Sequence, residues 1–518
     1  MRTSLFRQAR VRLSLPVVIS LVAAVLLTSE PSSATTPVPA GSWPYPNGDL
    51  DNTRVAAGST ISAANVSQLQ QAWAFKLPKA VATGPGSLGS LVAGPIVSGG
   101  EVYLQDLASN VYAVDLATGE LDWEYAANLP KGSEPSPNGV AVAGGRVYGA
   151  TPTAVFALNA STGQRAWLNS AVLTKGEGLF GIQPEVADGR VYLASQYGLG
   201  PGGGVLVALS AATGQLLWKF NTVLGEDAGV EAVGSGSGGA WDTPLVSDDG
   251  SVTYGTGNPY QPAAAAIAHP AAQLYTDSLV NLDAATGQLR WYYQAIPDDF
   301  RDYDMEASPV STTINGGPAV IGGGKMGYVY AINAKTGSLI WKTAVGEHNG
   351  HDNYSVLAME HKLTLTAPYT ILPGSFGGIL TDMAVAGNSV YVATDDVPFT
   401  VTSLDNVFGH YTSPAAGEVE ALNLVTGKVQ WDTKVADMPL GAVTISNDLV
   451  FTTLYHGALL ALNRTTGAIV DQIQLPTSTN APLAVAGNTV LVAAGGPTLY
   501  LGRPLKGGNP QLVAYTAP

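Results

Sequence analysis

Cysteine is absent from all 518 residues. That excludes disulfides, thiolate metal sites, a covalent haem-attachment motif and a lipid-modified cysteine. Charge is scarce as well. Only 12% of residues are Asp, Glu, Lys or Arg, and 24 basic residues face 39 acidic ones. The resulting net charge of −15 argues against a nucleic-acid partner or an anionic membrane surface. No glycine-rich loop ends in Gly-Lys-Ser/Thr, and no Gly-x-Ser-x-Gly elbow occurs, so nucleotide-driven and serine-hydrolase chemistry have no motif behind them. Beyond the N-terminal region, no apolar run reaches the roughly 18 residues of a membrane span.

What the chain has in plenty is hydrophobic residues, 46%, with 61 Gly and 33 Pro. That mixture suits short strands joined by tight turns better than disorder. The stretch Ala113–Trp123, AVDLATGELDW, reads as strand, Thr-Gly turn and strand. Six later copies end at Trp167, Trp218, Trp291, Trp341, Trp431 and Asp471. The Thr-to-Thr intervals are 44, 51, 73, 50, 90 and 40 residues. A unit of this size with inserts of variable length points to propeller blades rather than an irregular sandwich. Trp73 sits in the strand QQAWAF without the first half of a repeat. Gln511–Thr516, QLVAYT, supplies a first half without a turn. Joining them in one blade predicts an all-β, eight-bladed propeller whose ring is closed by the N- and C-terminal strands.

The N-terminus carries its own signal. Arg2, Arg7, Arg10 and Arg12 precede the apolar run Leu13–Leu27, and Ser32–Ala34 offers small residues for cleavage. This order predicts a signal peptide over 1–34, an extended lead-in over 35–59, and a single propeller domain over 60–518. A retained anchor is the alternative. With cleavage, the protein is expected to be secreted, extracellular or periplasmic, without an integral membrane span. A short helix is expected over Thr60–Leu69, capped by Thr60 or Ser62.

Three polar, aromatic segments interrupt the repeat: Gly234–Pro262, Tyr292–Pro309 and Gly322–Tyr328, the last followed after the next turn by Gly346–Ser355. Asp298, Asp299, Asp302, Asp304 and Glu306 make one loop dense in carboxylates. With Asn258 they could ligate Ca²⁺ through oxygen, or simply form a solvated loop. Trp241, in a glycine-rich run, could offer its face to a flat ligand or belong to the core. Lys325, amid glycines, could meet an anionic ligand or be an ordinary exposed lysine. His348, His351 and Asp352 could hold a transition metal, but read better as a polar loop.

The run AWDTP…YGTGNPY…LDAATGQLRWYYQ…RDYD…GKMGYVYAINAKTG, with the Thr-Gly-x-x-x-Trp repeat, resembles the pyrroloquinoline-quinone (PQQ) alcohol dehydrogenase superfamily, above all its polyvinyl-alcohol dehydrogenase group. The resemblance starts at SWPYPNGDLDNTR and runs to the C-terminus. It implies an exported quinoprotein that oxidises secondary alcohols or polyvinyl-alcohol-like substrates with PQQ and Ca²⁺. Electrons would pass to an external acceptor, a cytochrome or a quinone. By motif, Trp241 would be the floor under the cofactor, Asn258 a Ca²⁺ and cofactor ligand, and Lys325 the cation at the quinone oxygens. Asp302 would be the catalytic base and a metal ligand, with Asp304 able to exchange roles with it. Relatives carry a Ca²⁺-ligating glutamate where Gln196 is the nearest residue here. The alternative reading is a non-enzymatic exported propeller, a protein-binding or assembly scaffold, since outer-membrane assembly lipoproteins share the repeat.

Overall fold

Six of the seven Thr-Gly turns are shaped by an Asp or Asn side chain of their own. In the first copy, strand Val111–Asp115 returns as Leu121–Tyr125. Asp115 Oδ1 accepts hydrogen bonds from the N–H groups of Ala117 (3.0 Å) and Thr118 (2.8 Å) and from Thr118 Oγ1 (2.8 Å). Thr118 Oγ1 in turn accepts from the Glu120 N–H. Such Asx turns pre-shape the reversal. Asn159, Asp283, Asn333, Asn423 and Asn463 repeat the arrangement. Gly119 follows with φ +74°, a conformation that favours glycine.

The glycine has a second reason. A Cβ on Gly119 would lie 2.6 Å from the ring of Trp73, which comes from the neighbouring sheet. The same indole donates its Nε1 proton to the Leu116 carbonyl, three residues before that glycine. The pattern recurs six times, with Trp123 on Gly163, Trp167 on Gly214, Trp218 on Gly287, Trp291 on Gly337, Trp341 on Gly427 and Trp431 on Gly467. Each repeat therefore carries a plug for the next and a socket for the last. Asp471 stands where an eighth tryptophan would. The sheet beside it has no Thr-Gly turn to receive one.

The structure is a computed structural model describing residues 38–78, 89–131, 133, 138–198, 203–223, 237–406, 409–411, 416–496 and 508–517. The expected signal peptide lies outside them. Among the described residues there are seven four-stranded sheets, one of five strands, and a small three-stranded sheet, all antiparallel. The innermost strands Ile96–Ser98, Ala141–Ala143, Glu185–Ala187, Leu245–Ser247, Val310–Ile314, Ala384–Ala386, Thr444–Ser446 and Ala484–Ala486 lie side by side in chain order. This is the propeller plan. Strand Gln70–Lys76 pairs antiparallel with Gln511–Thr516, as the split half-repeats predicted. One apolar cluster runs from that shared sheet (Leu512, Val513) into Val102 and Leu104 on one side and Leu459 and Ala461 on the other. Inner and middle strands are buried, whereas outermost strands such as Leu121–Tyr125 are largely exposed. No helix among the described residues is long and apolar enough to cross a membrane.

Two expectations change. The helix expected over Thr60–Leu69 shrinks to a 3-10 turn, Val66–Gln68. The N–H groups that would open it are taken elsewhere: Ser62 donates to Asn65 Oδ1 and Ala63 to Asp448 Oδ1. The lead-in, expected to be merely extended, is pinned across the inner strands. Trp43 bridges to Val97, Val55 bridges to Ile445, and the carbonyls of Asp51 and Thr53 accept from Ser311 and Val385. Arg54 is fully buried in its middle. Its guanidinium donates to the carbonyls of Val443 and Leu483, to Thr444 Oγ1 and to Asn47 Oδ1, and lies 3.9 Å from Asp382. A buried guanidinium persists only when its donors are met in this way.

Candidate functional site

The turns that lead into the innermost strands converge on a cavity of about 410 Å³. Its wall includes Gln196, Trp241, Tyr260, Asp302, Glu306 and Lys325, and the lead-in contributes Pro46 and Asn47. The glycine-rich run before Trp241 is stitched in place by main-chain bonds. Gly238 donates to the Asn258 carbonyl (3.1 Å), Ala240 to that of Ser195 (3.1 Å), and Gly257 to that of Gly239 (2.6 Å). Segments 195–197, 238–241 and 256–258, distant in sequence, thus become neighbours. Backbones can approach this closely because side chains are missing: a Cβ on Gly257 would lie 2.5 Å from Asp304 Oδ1 and 3.0 Å from Trp241 Nε1.

Asp304 is the hub. Fully buried, it accepts from the Asn258 N–H on Oδ1 (2.7 Å) and from Lys325 Nζ on Oδ2 (2.5 Å). Lys325 also reaches Asp302 Oδ2 at 3.2 Å and Glu306 Oε2 at 3.5 Å. It is only 5% exposed, so the exposed-lysine alternative fails. The ammonium sits 5.8 Å from the ring centroid of Trp241 and 5.7 Å from that of Phe376, within cation–π range. Burial opposes its charge, but Asp302, Asp304 and Glu306 outweigh that and hold its pKa above the ordinary lysine value. Burial drives the Asp302 carboxyl well up despite Lys325, and pushes Glu306 up to about 7.

Three acidic side chains surround one ammonium, and several polar atoms lack a partner. Asn258 Oδ1, Asp302 Oδ1 and Trp241 Nε1 are buried without a hydrogen bond. Asp302 also holds φ +63°, a strained conformation of the kind that collects at functional sites. Such orphaned oxygens beside acidic side chains suit a hard cation, and the half-buried indole with Lys325 above it suits a flat anionic ring.

The structure therefore gathers Trp241, Asn258, Asp302, Asp304 and Lys325 at one place. Of the two aspartates, Asp302 is a residue of the cavity wall with one unpartnered oxygen, whereas both oxygens of Asp304 are engaged. Gln196 lines the wall and donates from Nε2 to the Gly181 carbonyl (2.7 Å). The carboxylate loop is not a solvated one. Asp298 and Asp299 are buried and spent on structure, with Gln261 on the first and the N–H groups of Arg301 and Tyr303 on the second. His348 is held by Asp352 on Nδ1 (2.7 Å) and faces the Gly327 and Val345 carbonyls with Nε2, as a polar-loop residue would. Sequence reasoning missed Tyr197, Tyr260, Phe376 and Asp382 as cavity residues. Tyr260 stands in the NPY motif and could have been suspected. The others carry no local signal.

The sequence profile described as the β-propeller domain of glucose/ethanol/alcohol dehydrogenase matches residues 43–145 and 183–348, and that of the outer-membrane assembly factor BamB matches 415–514. Quinohemoprotein alcohol dehydrogenase ADH-IIG of Pseudomonas putida is 28% identical over 338 residues, covering 58% of this chain and 45% of its own length. Polyvinylalcohol dehydrogenase of Sphingopyxis sp. is 24% identical over 521 residues, covering 90% of this chain and 73% of its own. The chain thus spans less than half of the first relative. In fold it is similar to the crystal structure of quinohemoprotein alcohol dehydrogenase from Comamonas testosteroni, with a TM-score of 0.78 at 22% identity, over 92% of this chain and 80% of that one. A propeller with this repeat, and a profile match over half its length, belongs to the PQQ alcohol dehydrogenase superfamily.

Proposed function

We propose that the protein is an exported quinoprotein dehydrogenase that oxidises alcohol groups, secondary alcohols or polyvinyl-alcohol-like chains, and hands electrons to an external cytochrome or quinone. One observation carries the reading. Asp302, a residue of the cavity wall, has Oδ2 held by Lys325 while its buried Oδ1 has no partner, beside the half-buried Trp241. Bound there, PQQ would supply a two-electron acceptor and Ca²⁺ a Lewis acid.

The chain's own residues have separable tasks. Trp241 would bear the flat ring, and Lys325 would compensate its negative oxygens from within a desolvated site. Asn258 Oδ1 would hold Ca²⁺, with Gln196 as a neutral neighbour on the wall. Asp302, whose Oδ1 has no partner, would take the alcohol proton there when ionised. The eight sheets are read as a closed ring of eight blades forming one domain over 60–518, behind a signal peptide over 1–34. The electron acceptor is taken to be an external cytochrome or quinone, since the 518 residues themselves hold no cysteine for covalent haem attachment.

Calorimetry with PQQ and Ca²⁺, followed by dye reduction with secondary alcohols and polyvinyl alcohol, tests the reading. Binding that is lost in Trp241→Ala or Asn258→Ala is the expected result, and absence of binding to the unaltered chain would sink it. A second reading, a non-enzymatic assembly scaffold, is favoured by the BamB profile over 415–514. It predicts a cavity that binds no quinone.

A further inference from the structure

We propose that Tyr197 and Tyr260 are positioning residues: an aromatic pair at the cavity mouth that grips a flat ligand seated on Trp241 and slows its departure. The inference rests on the quinoprotein reading above. Tyr197 follows strand Arg190–Gln196, whereas Tyr260 follows Asn258 and Pro259 in another sheet's connection. Two unrelated loops bring their rings together. The ring planes are 17° apart with centroids at 6.2 Å, a stacked pair. Tyr197 also stands perpendicular to Trp241, at 87° and 4.8 Å. Both tyrosines line the cavity.

Their backbones make the arrangement unusual. Tyr197 holds φ +54° and Tyr260 φ +52°. For bulky residues the left-handed region is disfavoured, and such strain persists where the surroundings or a ligand compensate it. Yet Tyr197 is 49% exposed, so much of its ring face gains nothing from burial in the open cavity. A flat ring laid on the indole would lie roughly perpendicular to Tyr197, presenting its edge to that ring, desolvating it and adding an edge-to-face contact.

The test compares PQQ release from the Ca²⁺-loaded protein with release from Tyr197→Gly, Tyr260→Gly and Tyr197→Phe, measured as free PQQ after rapid gel filtration. The glycine variants should release PQQ about tenfold faster, the scale of a lost aromatic contact. Tyr197→Phe should release it at the unaltered rate, because the ring and not the hydroxyl makes the grip. Cofactor-free Tyr197→Gly should melt no lower than the parent, since glycine relaxes the positive φ. Unchanged release in both glycine variants, from a parent that binds PQQ, overturns this inference alone. A lower melting temperature for Tyr197→Gly would make the pair structural and overturn it too. A parent that binds no PQQ overturns the quinoprotein reading and this inference with it.

Discussion

The indole of Trp73 covers Gly119 and donates its Nε1 proton to the Leu116 carbonyl at 2.9 Å. The contact joins the sheet shared by the two chain ends to the first complete repeat. Six further Trp–Gly pairs carry the same contact from sheet to sheet, so the inter-blade joint is written into the repeat itself.

Gly119→Ala should therefore destabilise the protein by on the order of 2 kcal/mol, from a methyl pressed against the Trp73 ring and a strained φ together. Gly99→Ala is the control. Gly99 also has positive φ, at +66°, but a Cβ there meets nothing within 4 Å. Urea denaturation of the two variants separates the strain from the collision, and equal losses would count against the plug-and-socket joint.

Arg54→Met should be more damaging, by about 3–5 kcal/mol, because it removes one member of a buried charged network and strands its partners. The carbonyls of Val443 and Leu483, Asn47 Oδ1 and Asp382 would all lose a donor or counter-charge. Equilibrium unfolding in guanidinium chloride provides the check. A loss within about 1 kcal/mol would mean that the lead-in does not hold the inner strands together.

Lys325→Met should abolish most alcohol-dependent dye reduction, by about 10²-fold or more, while leaving the far-ultraviolet circular dichroism unchanged. The substitution keeps an unbranched side chain one atom shorter but leaves Asp302, Asp304 and Glu306 without their shared ammonium. Activity within a factor of about two would remove Lys325 from the site's chemistry.

Glu185 gives the pH dependence. Its side chain is fully buried, Oε2 has no partner, and burial raises its pKa from an ordinary 4.5 to about 8. The folded chain thus holds this proton more tightly than the unfolded one. The associated stability is complete below pH 4.5 and is lost as pH rises through about 8. Glu185→Gln, which cannot ionise, should flatten that decline, recovering on the order of a few kcal/mol at the alkaline end. Chemical denaturation at pH 5 and pH 8.5 measures it, and parallel pH profiles for parent and variant would refute it.

Much of the site was legible because its residues sit in short motifs with unusual neighbours. Trp241 and Lys325 stand among glycines, and Asp302 and Asp304 lie in a loop too rich in carboxylates for a random surface. What the motifs could not show was which aspartate keeps a free oxygen. That depends on Lys325 reaching Asp304 Oδ2 and on the Asn258 N–H taking Oδ1, contacts that span 21 and 46 residues. Arg54 was invisible for the same reason: three of its four acceptors lie about 390 to 430 residues away in the chain.

Local sequence alone determined the Thr-Gly turns and the strands that flank them, because an Asx residue, a threonine and a glycine dictate a reversal without outside help. It also determined the tryptophan positions. Even the missing tryptophan at Asp471 was present in the sequence, although its reason appears only beside a sheet that lacks a turn to receive it. Tertiary structure alone decided the burial of Lys325, the spending of Asp298 and Asp299 on scaffold, the pinning of the lead-in and the meeting of Tyr197 with Tyr260. Each depends on which loops converge at the propeller's centre. Convergence is a property of the whole set of sheets, since a strand specifies its neighbour's contact but not where all the loops together meet.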